Sequence, residues 1–179
     1  MKAKEVRDTY ISIIKLMELW NAYEALSHYV DEITGRVVKK VSKSRIYTQE
    51  FLKEVGSLAT LSKALQEIKN SYESERRFHN DFNQYIDRID CDEKLSKTLK
   101  NDAKSILDHV KGDKRISGIE ILSLIYAERN MYYHNGETAK MGMNYSNRKK
   151  IIENYRDALM AHTLMLATFV INIQREDSK

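Results

Sequence analysis

Ser117-Gly118-Ile119-Glu120-Ile121-Leu122-Ser123-Leu124-Ile125-Tyr126-Ala127-Glu128-Arg129-Asn130-Met131-Tyr132-Tyr133-His134-Asn135-Gly136 decides how this chain is read. Its apolar residues recur at three- and four-residue steps, the period of an α-helix. Serine at 117 and glutamate three residues on form a capping box, and Asn135-Gly136 is a helix stop, so both ends of one helix are marked. At about 100° per residue, Leu122, Ile125, Tyr126 and Tyr133 share one face, with Arg129 in its middle. Asn130 and His134, four apart, stack on the flank. An arginine on an apolar stripe is costly unless an anion meets it. A charge in that position requires an explanation.

The same helical period runs through the chain. There is no proline, and the six glycines fall mostly where helices should end. A first helix extends from about Lys4 to Ile33 through Val6, Tyr10, Ile13, Met17, Trp20, Tyr23, Leu26, Val30 and Ile33, and Thr34-Gly35 stops it. Glu24 lies one turn beyond Trp20, on the inner side, as a boundary residue or as the partner of a buried arginine. Thr48 is the expected cap of a second helix that carries Phe51, Leu52, Val55, Leu58, Leu61, Leu65, Ile68 and Tyr72. The pattern continues in more polar form through Phe78, Phe82, Tyr85, Ile86 and Ile89, with Asn70-Ser71 as the weak point of a long run. A shorter helix follows, capped by Asp92 and ended by Gly112, and a last one begins at Ser146 or Asn147 and runs through Ile151, Ile152, Tyr155, Leu159, His162, Leu166, Phe169, Val170 and Ile173. The expected fold is an all-α bundle of about five or six helices. The 179 residues make one domain, 1–179, with a basic loop over 35–47 and a helical excursion over 71–112.

Composition excludes several function classes. With 42% apolar and 31% charged residues the chain is neither disordered nor membranous. No apolar run approaches the roughly 20 residues of a membrane span, and the N-terminus lacks a signal-peptide core, so a cytoplasmic location is expected, with no membrane partner. The single Cys91 excludes an internal disulfide and a cysteine zinc site, and the five histidines show no paired ligand spacing, so no metal or cofactor is expected. The net charge of +4 is mildly basic and by itself points to no partner.

Basic residues cluster in three places. Lys39, Lys40, Lys43 and Arg45 fall in the segment after the first helix, which reads as a phosphate-contacting arm or as a solvated loop. Arg148, Lys149 and Lys150 occupy the first turn of the last helix, against its dipole, which points to an anionic partner such as RNA. Arg76, Arg77 and His79 stand beside aromatics, but Glu73, Glu75 and Asp81 neutralise that patch, so it reads as a solvated helix face.

Arginine and histidine without a metal, a thiol nucleophile or paired carboxylates suit one reaction class. RNA supplies its own nucleophile, the 2′-OH, so a protein need only move protons and stabilise charge. A histidine can take the 2′-OH proton or protonate the leaving 5′-oxygen. An arginine can match the oxygens of the pentavalent phosphate. Such a reaction needs both an acid and a base. A two-fold dimer joining two motif helices would supply two arginines and two histidines to one cleft, and would make the apolar stripe an interface.

Arg129-Asn130-x-x-x-His134 resembles the signature of HEPN-domain proteins; no other arginine of the chain has a histidine five positions on. The resemblance covers this helix and its flanks. It implies a helical bundle, a metal-independent endoribonuclease acting as a homodimer, and a place in anti-phage defence or a toxin–antitoxin pair with an antitoxin partner. Arg129, Asn130 and His134 then take the catalytic roles, with Glu24 and Tyr133 in support. The alternative is a non-catalytic HEPN-like module that binds a nucleotide or a protein. Arg156 and His162, six apart, form a looser decoy, because His162 sits on an apolar face as a core histidine would.

Overall fold

The computed structural model describes the backbone of residues 2–35, 47–135 and 143–177 and the side chains of 3–35, 47–133 and 143–176. It is all-α, as the period requires. The helices are α1 (Lys2–Thr34), α2 (Gln49–Glu54), α3 (Ser57–Ser74), α4 (Arg76–Cys91), α5 (Lys97–Lys111), α6 (Glu120–Asn135) and α7 (Tyr145–Asp177), with no strand among the described residues.

The frame is the pair α1 and α7, each 33 residues and so about 50 Å long. They run parallel. Thr9 Oγ1 donates to the Tyr145 carbonyl at 3.4 Å near both starts, and Gln174 Nε2 donates to Tyr29 Oη at 2.7 Å near both ends. Their seam follows coiled-coil spacing. Thr9, Ile13, Leu16, Trp20, Tyr23, Ser27 and Val30 are buried on α1, facing Arg148, Ile152, Tyr155, Leu159, His162 and Leu166 on α7. The sequence pattern had placed Tyr10 and Leu26 on this seam; they flank it, half-buried. Parallel neighbours need a long crossover, and α2 to α6 supply it.

The run after Thr48 is three helices. Thr48 caps α2 by accepting from the Phe51 N–H at 3.3 Å. Gly56, at φ +78°, then breaks the chain, because a left-handed residue ends a helix at little cost only when it is glycine. The second break is at Glu75, in extended backbone, four residues beyond the expected Asn70-Ser71. Ser96, whose Oγ accepts from the Leu99 N–H, caps α5 in place of Asp92, which accepts from the Lys94 N–H in the preceding turn. Within 71–112, Phe78, Phe82, Tyr85, Ile86, Ile89, Leu99 and Ile106 lie in the core cluster that the described helices share.

Helix α6 runs through the middle of this core. Ile121, Leu122, Leu124, Ile125, Ala127 and Met131 are buried on several of its faces, as befits a helix surrounded by others. Its start is fixed by close approach. Gly118, at φ +99°, leaves no room for a side chain, since a Cβ there would stand 2.7 Å from Ser62 N on α3. Ser62 Oγ also donates to the Ser117 carbonyl. The capping box is displaced but recognisable: Glu120 Oε2 accepts from the Gly118 N–H and Ser117 Oγ from that of Ile119.

Candidate active site

The exposed end of α6 is positioned by a buried polar cluster. Ile121, Leu124, Ile125, Glu128 and Met131 share the most buried face of α6, so Glu128 enters the core at 2% exposure. Arg148 of α7 meets it at 1% exposure, each terminal guanidinium nitrogen donating to one carboxylate oxygen. Tyr85 Oη of α4 donates to Glu128 Oε1 at 2.6 Å, and Tyr155 Oη lies 3.4 Å from Tyr85 Oη. Burial opposes the Arg148 charge, but the Glu128 carboxylate outweighs it, so the guanidinium remains protonated. Burial, reinforced by Glu128, pushes both phenols well above their ordinary range, so they stay neutral donors. The cluster ties α4, α6 and α7 together one residue before the motif.

Arg129 follows, rotated about 100° from Glu128 and hence out of the core. It is half-buried, with its guanidinium carbon 5.7 Å from the Tyr126 ring centre and 5.6 Å from that of Tyr133. Nη1 donates to Asn130 Oδ1 at 3.3 Å, and Nε is buried without a hydrogen-bond partner among the described residues. No carboxylate among the described residues forms an ion pair with it. Trp20 of α1 packs on Tyr126 at 5.5 Å and supports the ring from below. Tyr133 is 52% exposed and meets Tyr132 edge-on. The backbone of His134 continues the last turn of α6; its side chain lies outside the described residues. Glu24 is half-buried on α1 and makes no ion pair with Arg129.

The basic residues divide differently from the sequence reading. Arg148 is no RNA contact, because a side chain sealed in the core against Glu128 cannot reach a phosphate. The anions that answer the first turn of α7 come from this chain. Lys149 approaches Glu153 at 3.6 Å, and Lys150 pairs with Glu75 at 2.5 Å while lying over the Phe78 ring. Asn144 caps the helix through Asn147, and Asp81 accepts from both asparagine side chains. The inference from the dipole to an external anion therefore fails: tertiary packing brings Glu128 to Arg148 and Glu75 to Lys150, and α7 itself presents Glu153 to Lys149. Lys149 and Lys150 line a cleft of ≈ 450 Å³ with Glu67, Glu153 and Asp157, so that surface is mixed in charge. Lys39, Lys40, Lys43 and Arg45 lie outside the described residues.

The sequence reading missed Glu128, Tyr85 and Tyr155 as one cluster. A signal existed: Glu128 continues the stripe of Ile121, Leu124 and Ile125, and Arg148 continues the seam of Ile152, Tyr155 and Leu159. An acid and a base, each alone on an apolar stripe, are natural partners. His162 is a core residue, fully buried against the Tyr23 ring at 5.0 Å.

The result is an arginine between two tyrosines with no ion-pair partner among the described residues, with an amide bonded to it and a histidine on the next turn. It can accept an anion and offer aromatic faces to a base. Among the described residues no cluster of histidine, cysteine, aspartate and glutamate is placed to hold a metal ion, and no helix is long and apolar enough to cross a membrane. Comparison of the chain with protein-family models, curated proteins and solved structures finds no match.

Proposed function

We propose that this chain is a metal-independent endoribonuclease of the HEPN type that cleaves single-stranded RNA by 2′-OH attack on the adjacent phosphodiester. The observation that carries the reading is Arg129, held half-buried between Tyr126 and Tyr133 without a carboxylate partner among the described residues. A guanidinium kept out of full solvation, its Nε without a hydrogen-bond partner among the described residues, suits a phosphate. In the reaction, Arg129 neutralises charge on the non-bridging oxygens as the 2′-oxygen attacks and the P–O5′ bond breaks. His134 moves the proton, and Asn130 orients the arginine through the bond it accepts. The products carry a 2′,3′-cyclic phosphate and a 5′-OH. One motif offers one histidine, so the acid and the base come from two protomers meeting at the α6 end, where exposed Tyr133 supplies apolar surface. A role in anti-phage defence or as the toxin of a toxin–antitoxin pair accompanies this reading.

The test is RNA degradation in EDTA by the wild type, Arg129→Ala and His134→Ala. The expected result is cleavage that survives EDTA and falls at least about 100-fold in both variants. Equal activity in all three discards the enzyme, and RNA bound but uncleaved by the wild type establishes the binding module instead. A monomeric mass at micromolar concentration sinks the composite site. Growth arrest on expression, relieved by His134→Ala, tests the toxin role.

A further inference from the structure

A second cationic site stands where α3, α4 and α5 meet. Tyr72 and Glu73 of α3, Arg76 and His79 of α4, and Lys111 of α5 surround a cleft of ≈ 620 Å³, within the size range of small-ligand sites. The sequence suggested that Glu73, Glu75 and Asp81 cancel the charge of Arg76, Arg77 and His79. The fold commits two of those acids elsewhere and leaves Glu73 in the lining. Glu75 reaches across to Lys150 on α7, Asp81 is taken by Asn144 and Asn147, and Glu73 leans back toward Lys69 at 3.8 Å. Among the described residues Arg76, Arg77 and Lys111 have no ion-pair partner.

The bland reading, cations simply extended into solvent, accounts for only part of this. Lys111 ends α5, where the dipole favours a cation. Arg76 and Arg77 open α4, where the dipole opposes one. Arg76 and Lys111 thus bring positive charge from two helices to the same concave surface, against Glu73 in its lining. The wall is also ordered. The Tyr72 and His79 rings meet edge-on at 4.3 Å, Tyr72 Oη donates to Asn83 Oδ1 at 3.2 Å, and Asn83 Nδ2 donates to the His79 carbonyl at 3.0 Å. A guanidinium fork and an ammonium beside a fixed ring pair form a receptor for phosphate oxygens. An open cleft favours a group on a passing strand over a fully enclosed small molecule. We propose that this cleft binds phosphate groups of a single-stranded RNA backbone, away from the α6 motif. It names a second contact for the substrate class proposed above, and its test does not depend on cleavage.

The probe is a fluorescent 2′-O-methyl RNA 12-mer, which lacks the nucleophile and stays intact on the wild-type protein. Its anisotropy is followed from 50 to 200 mM salt for the wild type and Arg76→Ala/Lys111→Ala. The control is Lys15→Ala/Arg175→Ala, which removes the same charge from exposed positions on α1 and α7. The cleft variant is expected to bind about tenfold more weakly at 50 mM salt, with a salt slope shallower by about 1.4, or roughly 0.7 for each lost contact on a single strand. Glu73→Gln, which removes a carboxylate from the wall, is expected to bind more tightly. Equal weakening in the cleft and control variants overturns the proposal. So does ATP binding that the cleft variant loses while its RNA affinity is unchanged, since the site would then serve free nucleotides. Should Arg129→Ala prove the cleavage reading wrong, the anisotropy series still decides the cleft.

Discussion

Replacing Glu128 by Gln removes one charge from the core and leaves Arg148 without its counter-ion at 1% exposure. Taking one partner from a buried pair costs about 3–5 kcal/mol, because the remaining charge has neither water nor anion. The stability of a domain is roughly 5–15 kcal/mol, so the loss is a large share of the total. For a chain of this size each kcal/mol moves the melting temperature by about 2–4 °C, giving a fall of roughly 6–20 °C. The paired variant Glu128→Gln/Arg148→Met should recover most of it. The amide still accepts from Tyr85 Oη, and the thioether chain fills the arginine's volume without a charge to solvate. Calorimetry and urea unfolding of the wild type, both single variants and the pair at pH 7 form a double-mutant cycle. Single variants that each lose less than about 1 kcal/mol would refute the reasoning, because the pair would then be hydrated or dispensable. The paired variant should also bind RNA as the wild type does, as expected if Arg148 only positions α6.

Further predictions concern the core and the helix start. Burial drives the His162 imidazole down to about 3, so the folded state holds it neutral while the unfolded chain protonates it near its ordinary 6.5. Its folded pKa lies below the unfolded one, so its penalty is absent above pH 6.5 and grows as pH falls toward 3, reaching roughly 4–5 kcal/mol. His162→Phe should flatten that loss in urea titrations at pH 7, 5 and 4; parallel declines in variant and wild type would reject the assignment. Gly118→Ala forces a Cβ against Ser62 N and strains a φ of +99°, so a loss of about 2–4 kcal/mol by thermal unfolding is expected. An unchanged melting temperature would show that α3 and α6 can separate there without cost.

The recurrence of apolar residues was enough to reveal an all-α chain, the ends of α1, the cap at Thr48 and the stop at Gly112, because these depend on neighbours within a turn or two. The same reasoning went astray where distant groups compete. Asn70-Ser71 looked weaker than Glu75, yet Ile68, Ser71 and Tyr72 are buried on α3 and hold that helix intact to Ser74. Glu75 then leaves the helix, and its carboxylate meets Lys150.

The motif at Arg129, Asn130 and His134 was visible in the sequence because its residues lie on one short helix, where spacing fixes direction. The sequence also implied that an arginine near the α6 core needed an anion. Only the tertiary structure decided which arginine found one inside the chain. Arg148 is twenty positions from Glu128, and no periodicity relates α6 to α7; the low-dielectric core pairs them because neither charge is tolerable there alone. Arg129, one step around the helix, escaped that constraint and lies beside Tyr126 and Tyr133 with no ion-pair partner among the described residues. Sequence thus determined local helix geometry, and folding determined which charges were cancelled among the described residues.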